Sequence, residues 1–143
     1  MGTTKISPSV RRLVQDRAQG CCEYCLTPEM ALLCPYEIDH IISQKHGGAT
    51  SPENLAFCCV RCNKHKGSDI TSIDPQTEEI VRLFHPRRDH WAVHFQLREV
   101  EIFPLTAAGR ATVRMLQMNH PDRLEEREVL IAGGLYSTPA PTL

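Results

Sequence analysis

Along the first twenty residues, apolar positions recur at helical spacing: Val10, Leu13, Val14 and Ala18 line one side, with Arg11, Arg12 and Arg17 on the other. Ser7 before Pro8 is an N-cap followed by proline at the first helical position, and Gly20 stops the run, so a short amphipathic helix is predicted. Tyr36 to Ile42 has the β-branched and aromatic content of a strand. Gly47-Gly48 and Ser51-Pro52-Glu53-Asn54 then break regular structure, which makes 43–54 a loop. Leu55 to Cys58 is a brief apolar run, and Arg61, Lys64 and Lys66 follow on a short polar helix ending near Gly67. Further on, Glu79 to Phe84 reads as a strand. Trp91, Val93, Phe95 and Leu97 alternate as in a half-buried strand, a helix being the alternative. Thr106 is placed to cap a helix carrying Val113, Met115 and Leu116, and a second helix starts near Pro121. The charges of that second helix, from Asp122-Arg123 through Glu125-Glu126-Arg127-Glu128, read as a solvated face. Ser137 to Leu143 is proline-rich and expected to fray. The pattern is α+β, with residues 1–75 as one domain and 76–143 as an extension packing on it.

Composition narrows the class. With 143 residues, 41% of them hydrophobic, and 16 Lys+Arg against 17 Asp+Glu, the chain has the makeup of a soluble globular protein and not of a disordered or membrane one. The N-terminus lacks the apolar stretch of a secretory signal, Ile6 stands where a myristoylation motif needs Ser or Thr, and the run from Ala56 to Val60 is far too short to span a bilayer. A cytoplasmic location without membrane partners is expected; the oligomeric state is not readable. Net charge is −1, so any polyanion must be held by local charge.

The seven cysteines change the picture most. Cys21, Cys22, Cys25, Cys34, Cys58, Cys59 and Cys62 are an odd number confined to the first half, which argues against a disulfide framework and for a metal site. Cys22-Glu-Tyr-Cys25 and Cys59-Val-Arg-Cys62 are two C-x-x-C pairs, the spacing that presents two thiolates to tetrahedral Zn²⁺. A Cys21 or Cys58 register would have three intervening residues and is less usual. Residues 22–67 are too few and too polar to hold themselves by apolar burial, and a structural zinc site supplies roughly 10–16 kcal/mol of apparent binding free energy to folding.

Between and after the pairs stand Asp39-His40-Ile41-Ile42, Gly47-Gly48, Asn54-Leu55 and then Cys62-Asn63 with Lys66 three residues on. In that order these motifs resemble the HNH endonuclease family over about residues 22–67. The resemblance implies a zinc-stapled, treble-clef-like ββα-metal (His-Me finger) nuclease core of the small stand-alone type. It implies that Asn54 braces the loop that orients the catalytic histidine, and that Asn63 is a ligand of the catalytic cation, in a His-Asn-Asn variant. The residues themselves agree with this chemistry. Phosphodiester hydrolysis needs a base for water and a cation for the phosphate and the departing 3′ oxygen. A free imidazole titrates near neutrality, which is why a histidine, here His40, is read as the base. Asp39, on the opposite strand face, offers a hard oxygen that with the Asn63 amide suits Mg²⁺ or Mn²⁺. Such an enzyme would leave 5′-phosphate and 3′-hydroxyl ends. His65 is about 200° round the helix from Asn63 and is not expected to share its cation.

Duplex DNA is the expected partner, held in a basic groove by Arg11, Arg12, Lys45, Arg61, Lys64, Lys66, Arg87 and Arg88 through phosphate contacts. The rival reading is a catalytically inactive zinc module that binds DNA or protein, which has no need of Asp39, His40, Asn54 and Asn63 together. A thiol redox role for the C-x-x-C pairs is a weaker third.

Overall fold

The structure, a computed structural model, describes residues 5–140. The N-terminal residues bearing on the signal and myristoylation readings, 1–4, lie outside these, as do residues 141–143 of the tail expected to fray; residues 137–140 have no regular structure. Helix α1 (Pro8–Arg17) begins as its sequence dictates: Ser7 is extended and its hydroxyl accepts the Val10 N–H at 3.2 Å. Val14 is buried completely, while Arg17 reaches back to donate to the carbonyls of Pro52 and Leu55 at 3.0 and 2.8 Å.

Strands β1 (Glu37–His40) and β2 (Leu55–Cys58) pair antiparallel, with Asp39 opposite Ala56 and His40 opposite Leu55. Helix α2 (Val60–Lys66) follows β2 directly and packs on β1, completing a strand–strand–helix unit. All four residues of β2 are buried, which its uninterrupted apolar run anticipates. Strands β3 (Thr71–Ile73) and β4 (Ile80–Arg82) form a hairpin that straddles residue 75. The Trp91–Leu97 stretch divides between the two readings of its pattern. Trp91–His94 is one helical turn, α3, and Phe95–Arg98 is β5, paired with β6 (Glu101–Pro104). Helix α4 (Ala107–Met115) is capped by the Thr106 hydroxyl, which accepts the Gly109 N–H at 3.0 Å, and α5 runs from Pro121 to Ala132.

One hydrophobic core joins the two halves of the chain. Val14, Tyr24, Tyr36, Leu55 and Phe57 from the first half pack in the same cluster as Phe84, Trp91, Phe95, Ile102, Leu116 and Met118 from the second. The Phe84 and Phe95 rings stand edge to face at 5.2 Å between centroids. Polar ties follow the same path: the Trp91 indole donates to the Tyr24 carbonyl at 2.9 Å, and the Tyr136 hydroxyl to the Cys25 carbonyl at 2.7 Å.

The expected solvated face of α5 is overturned. Arg123 and Arg127 are 5% and 2% exposed. Spaced i, i+4, they share the inward side of the helix, and Arg127 donates to the carbonyls of Val100 and Met118, each at 2.7 Å. Among the described residues, no helix is long and apolar enough to cross a membrane.

Candidate functional site

Two knuckles bring four sulfurs together. In the first, the Leu26 N–H returns to the Cys22 carbonyl at 2.8 Å, with Leu26 held at φ +66° to make the turn. In the second, Cys59 is the N-cap of α2 and its sulfur accepts the Cys62 N–H at 3.4 Å, so N-cap and third helical position both face the same point. Cys22, Cys25, Cys59 and Cys62 are all buried, and their sulfurs lie within 4.8 Å of one another. The Cys25 and Cys59 sulfurs are 3.7 Å apart. A tetrahedron with Zn–S bonds of about 2.3 Å has edges near 3.8 Å, so the donor set fits one zinc ion without rearrangement of that edge. Cys58 is buried outside the four, Cys21 is half-buried, and Cys34 is exposed.

Asp39 and His40 occupy opposite faces of β1. Asp39 points inward and is 5% exposed. Its Oδ2 accepts the Tyr24 hydroxyl at 2.8 Å and lies 3.1 Å from the Lys66 ammonium, which is also 3.4 Å from Oδ1. Lys66 Nζ donates further to the carbonyls of Ile41 and His40 at 3.1 and 3.4 Å. Burial pushes the Asp39 carboxyl above its ordinary pKa, and Lys66 and Tyr24 reverse this only in part. The side chain of Lys66 is 2% exposed, which removes it from any DNA-facing groove: it is the internal counter-ion of Asp39. The niche is filled by this ammonium, which four oxygens surround: Oδ1 and Oδ2 of Asp39 and the carbonyls of His40 and Ile41. Asn63 stands three residues before Lys66 and so on the same side of α2; its side chain has no hydrogen bond among the described residues.

His40 is half-buried, with Nε2 2.9 Å from the Thr50 hydroxyl, which also accepts from the Gln44 amide at 3.3 Å. Thr50 is brought there by the loop that Asn54 braces. The Asn54 amide oxygen accepts the Ile42 N–H at 2.9 Å, its nitrogen donates to the carbonyls of Ile42 and Ala49 at 2.8 Å each, and its own carbonyl accepts the Ile41 N–H at 2.9 Å. Gly48 is required inside this loop, because a Cβ there would collide with the Ile42 carbonyl oxygen. Tyr24, Gln44 and Thr50 were not singled out from sequence. Nothing local marks them, although Thr50 between the glycine pair and Asn54 sits within reach of the motif.

The basic residues do not assemble as one groove. On α2, Arg61 and Lys64 turn away from Asn63 and Lys66 toward α5, where Arg61 pairs with Glu126 at 3.2 Å. Arg87 is half-buried against the Glu23 carboxylate. Arg11, Arg12, Lys45, Lys64 and Arg88 are exposed. A cleft beside Asn54 and Ile42 does gather Arg17, Arg87 and Arg88. Burial and the neighbouring Arg17 charge pull the Arg87 pKa below its ordinary value. His85 and His94 are committed elsewhere: His85 Nδ1 accepts the Arg87 and Arg88 N–H groups at 3.2 Å, and His94 Nδ1 lies 2.6 Å from the Thr106 hydroxyl.

The strand–strand–helix unit thus carries a four-cysteine cluster placed to hold a metal ion, an Asp-His pair on its first strand and an asparagine on its helix, within a small mixed α/β fold. Residues 22–69 match the HNH endonuclease family model. No curated protein and no solved structure matches the chain.

Proposed function

We propose that the protein is a metal-dependent endonuclease that hydrolyses phosphodiester bonds of double-stranded DNA, leaving 5′-phosphate and 3′-hydroxyl ends. The observation that carries this reading is the bracing of the 42–50 loop by Asn54, which presents the His40 ring with Nε2 anchored on Thr50. With that nitrogen occupied, Nδ1 is the atom left to take a proton from water, so His40 serves as general base in the tautomer that donates Nε2–H to Thr50. Asp39 and Asn63 would hold one divalent cation, and their carboxylate and amide oxygens favour Mg²⁺ or Mn²⁺. Such an ion, when bound, offsets negative charge on the phosphate and on the departing 3′ oxygen. Arg88 and Arg17 in the cleft beside Asn54, with exposed Arg11, Arg12, Lys45 and Lys64, would meet the DNA backbone. Zinc in the four-cysteine cluster holds the frame and takes no part in cutting.

The test is cleavage of supercoiled plasmid by the purified protein with Mg²⁺ or Mn²⁺. His40→Ala is expected to slow cutting by about 10²–10⁴-fold, the usual span for loss of a general base. Undiminished cutting by that variant overturns the assignment. Absence of cutting by the unaltered protein on both plasmid and single strands favours the inactive zinc module.

A further inference from the structure

The guanidinium of Arg123 is buried in the second half of the chain, and among the described residues no carboxylate lies within ion-pair distance of it. A buried charge without an opposite charge costs several kcal/mol. Its partners are different. Nη2 donates to the Cys62 sulfur at 3.3 Å and reaches the Cys59 sulfur at 3.9 Å, while Nη1 donates to the Leu116 carbonyl at 2.9 Å, at the end of α4. Both sulfurs belong to the second C-x-x-C pair.

Four thiolates around one Zn²⁺ carry a net charge of −2, and this cluster is closed off from water on the evidence of its four buried side chains. We propose that Arg123 is the counter-ion of the metal centre, donating N–H···S hydrogen bonds that stabilise the Cys59 and Cys62 thiolates. The buried guanidinium and the buried dianion each remove the other's cost, and neither is well housed alone. Two consequences follow. The metal centre includes a residue from α5, beyond the 22–69 segment that matches the family. Arg123 also tunes the affinity of the site by drawing electron density from two of its four ligands, as hydrogen-bonded outer groups do for metal ligands generally. The inference rests on a zinc-loaded cluster and not on nuclease activity.

The experiment compares the full-length protein with Arg123→Met, which keeps bulk and loses charge and donors, and Arg123→Lys, which keeps charge. Zinc transfer to a chromophoric chelator is followed under native conditions. Arg123→Met is expected to bind zinc about 10–100-fold more weakly, with Arg123→Lys between the two. The discriminating readout is the sulfur-to-cobalt charge-transfer band of the Co²⁺-substituted proteins. Loss of N–H···S donation raises the energy of the sulfur lone pairs, so the band should move to lower energy in Arg123→Met. A purely structural role would leave the band in place. If Arg123→Met fails to fold, the band in Arg123→Lys decides, because lysine cannot reproduce the directed donation of a planar guanidinium. Zinc affinity within twofold of the unaltered protein together with an unshifted band overturns the proposal. A protein isolated with no zinc and seven reactive thiols overturns both this inference and the zinc reading beneath it, whether or not the protein cuts DNA.

Discussion

At two buried centres of this molecule, the cysteine cluster and Asp39, a buried cationic side chain lies against the sulfurs or the carboxylate. At the cysteine cluster the cation arrives from α5, 61 residues after Cys62, and meets two of the four sulfurs. At Asp39 the cation is Lys66, on the helix of the same strand–strand–helix unit, and its ammonium lies directly against the carboxylate. At the first, the Cys62 N–H and Arg123 reach the Cys59 and Cys62 sulfurs, and a metal ion would be the group that ties all four sulfurs together. The second is already neutral. The fold would therefore lean on a metal ion at the four-cysteine centre, whereas the Asp39–Lys66 centre is paired without one.

The largest expected effect breaks the first centre. Cys59→Ser, or stripping of zinc under denaturant-free conditions, should abolish the cooperative thermal transition, since the site's roughly 10–16 kcal/mol of apparent binding free energy exceeds the stability of most small domains. Scanning calorimetry with zinc quantified in the same sample checks it; an unchanged melting temperature in Cys59→Ser would show that Cys58 serves as the ligand in its place. Breaking the second centre should cost less. Lys66→Met leaves Asp39 buried without its counter-ion and should lower stability by about 3–5 kcal/mol in denaturant titration. The smallest effect sharpens the contrast with a purely structural carboxylate. Asp74, fully buried, is held well below the ordinary carboxylate range by two hydrogen bonds from Arg110 at 2.9 and 2.8 Å, helped by the Gln76 N–H and the Thr77 hydroxyl. A depressed folded pKa gives stability that is present above the unfolded value of about 3.9 and is lost as pH falls below it. Asp39, raised by burial, has the opposite sign. Thermal stability should accordingly fall from pH 5 to pH 3, and Asp74→Asn should flatten that slope; an equal slope in the variant would assign it to other carboxylates.

What was legible in the chain was what local chemistry enforces. Ser7-Pro8, Thr106 and the Cys59/Cys62 spacing each specify a cap or a turn within four residues, and the structure contains them. The cysteine register followed from the same logic, because C-x-x-C places two sulfurs on one turn. Asn54 could be matched to a loop, but its three side-chain hydrogen bonds depend on Gly48 and on where residues 42–49 return. The misread residues all find partners far along the chain. Arg123 and Arg127 carry the charges of a solvated helix and are buried, because cysteine sulfurs and backbone carbonyls from elsewhere in the chain meet them there. Lys66 resembled its neighbours Arg61 and Lys64 in type and differs from them in direction, which only the packing of α2 on β1 decides. The Trp91–Leu97 alternation hid a helical turn, since Trp91 and Phe95 are four residues apart and stack at 5.1 Å between centroids.

The hydrogen bond from Tyr136 to the carbonyl of Cys25 joins residues 111 apart. During synthesis at about 5–20 residues per second, the first knuckle therefore waits for several seconds before its last partner emerges. Truncation before residue 136 would thus leave the Cys25 carbonyl, on the first knuckle, without its hydroxyl partner.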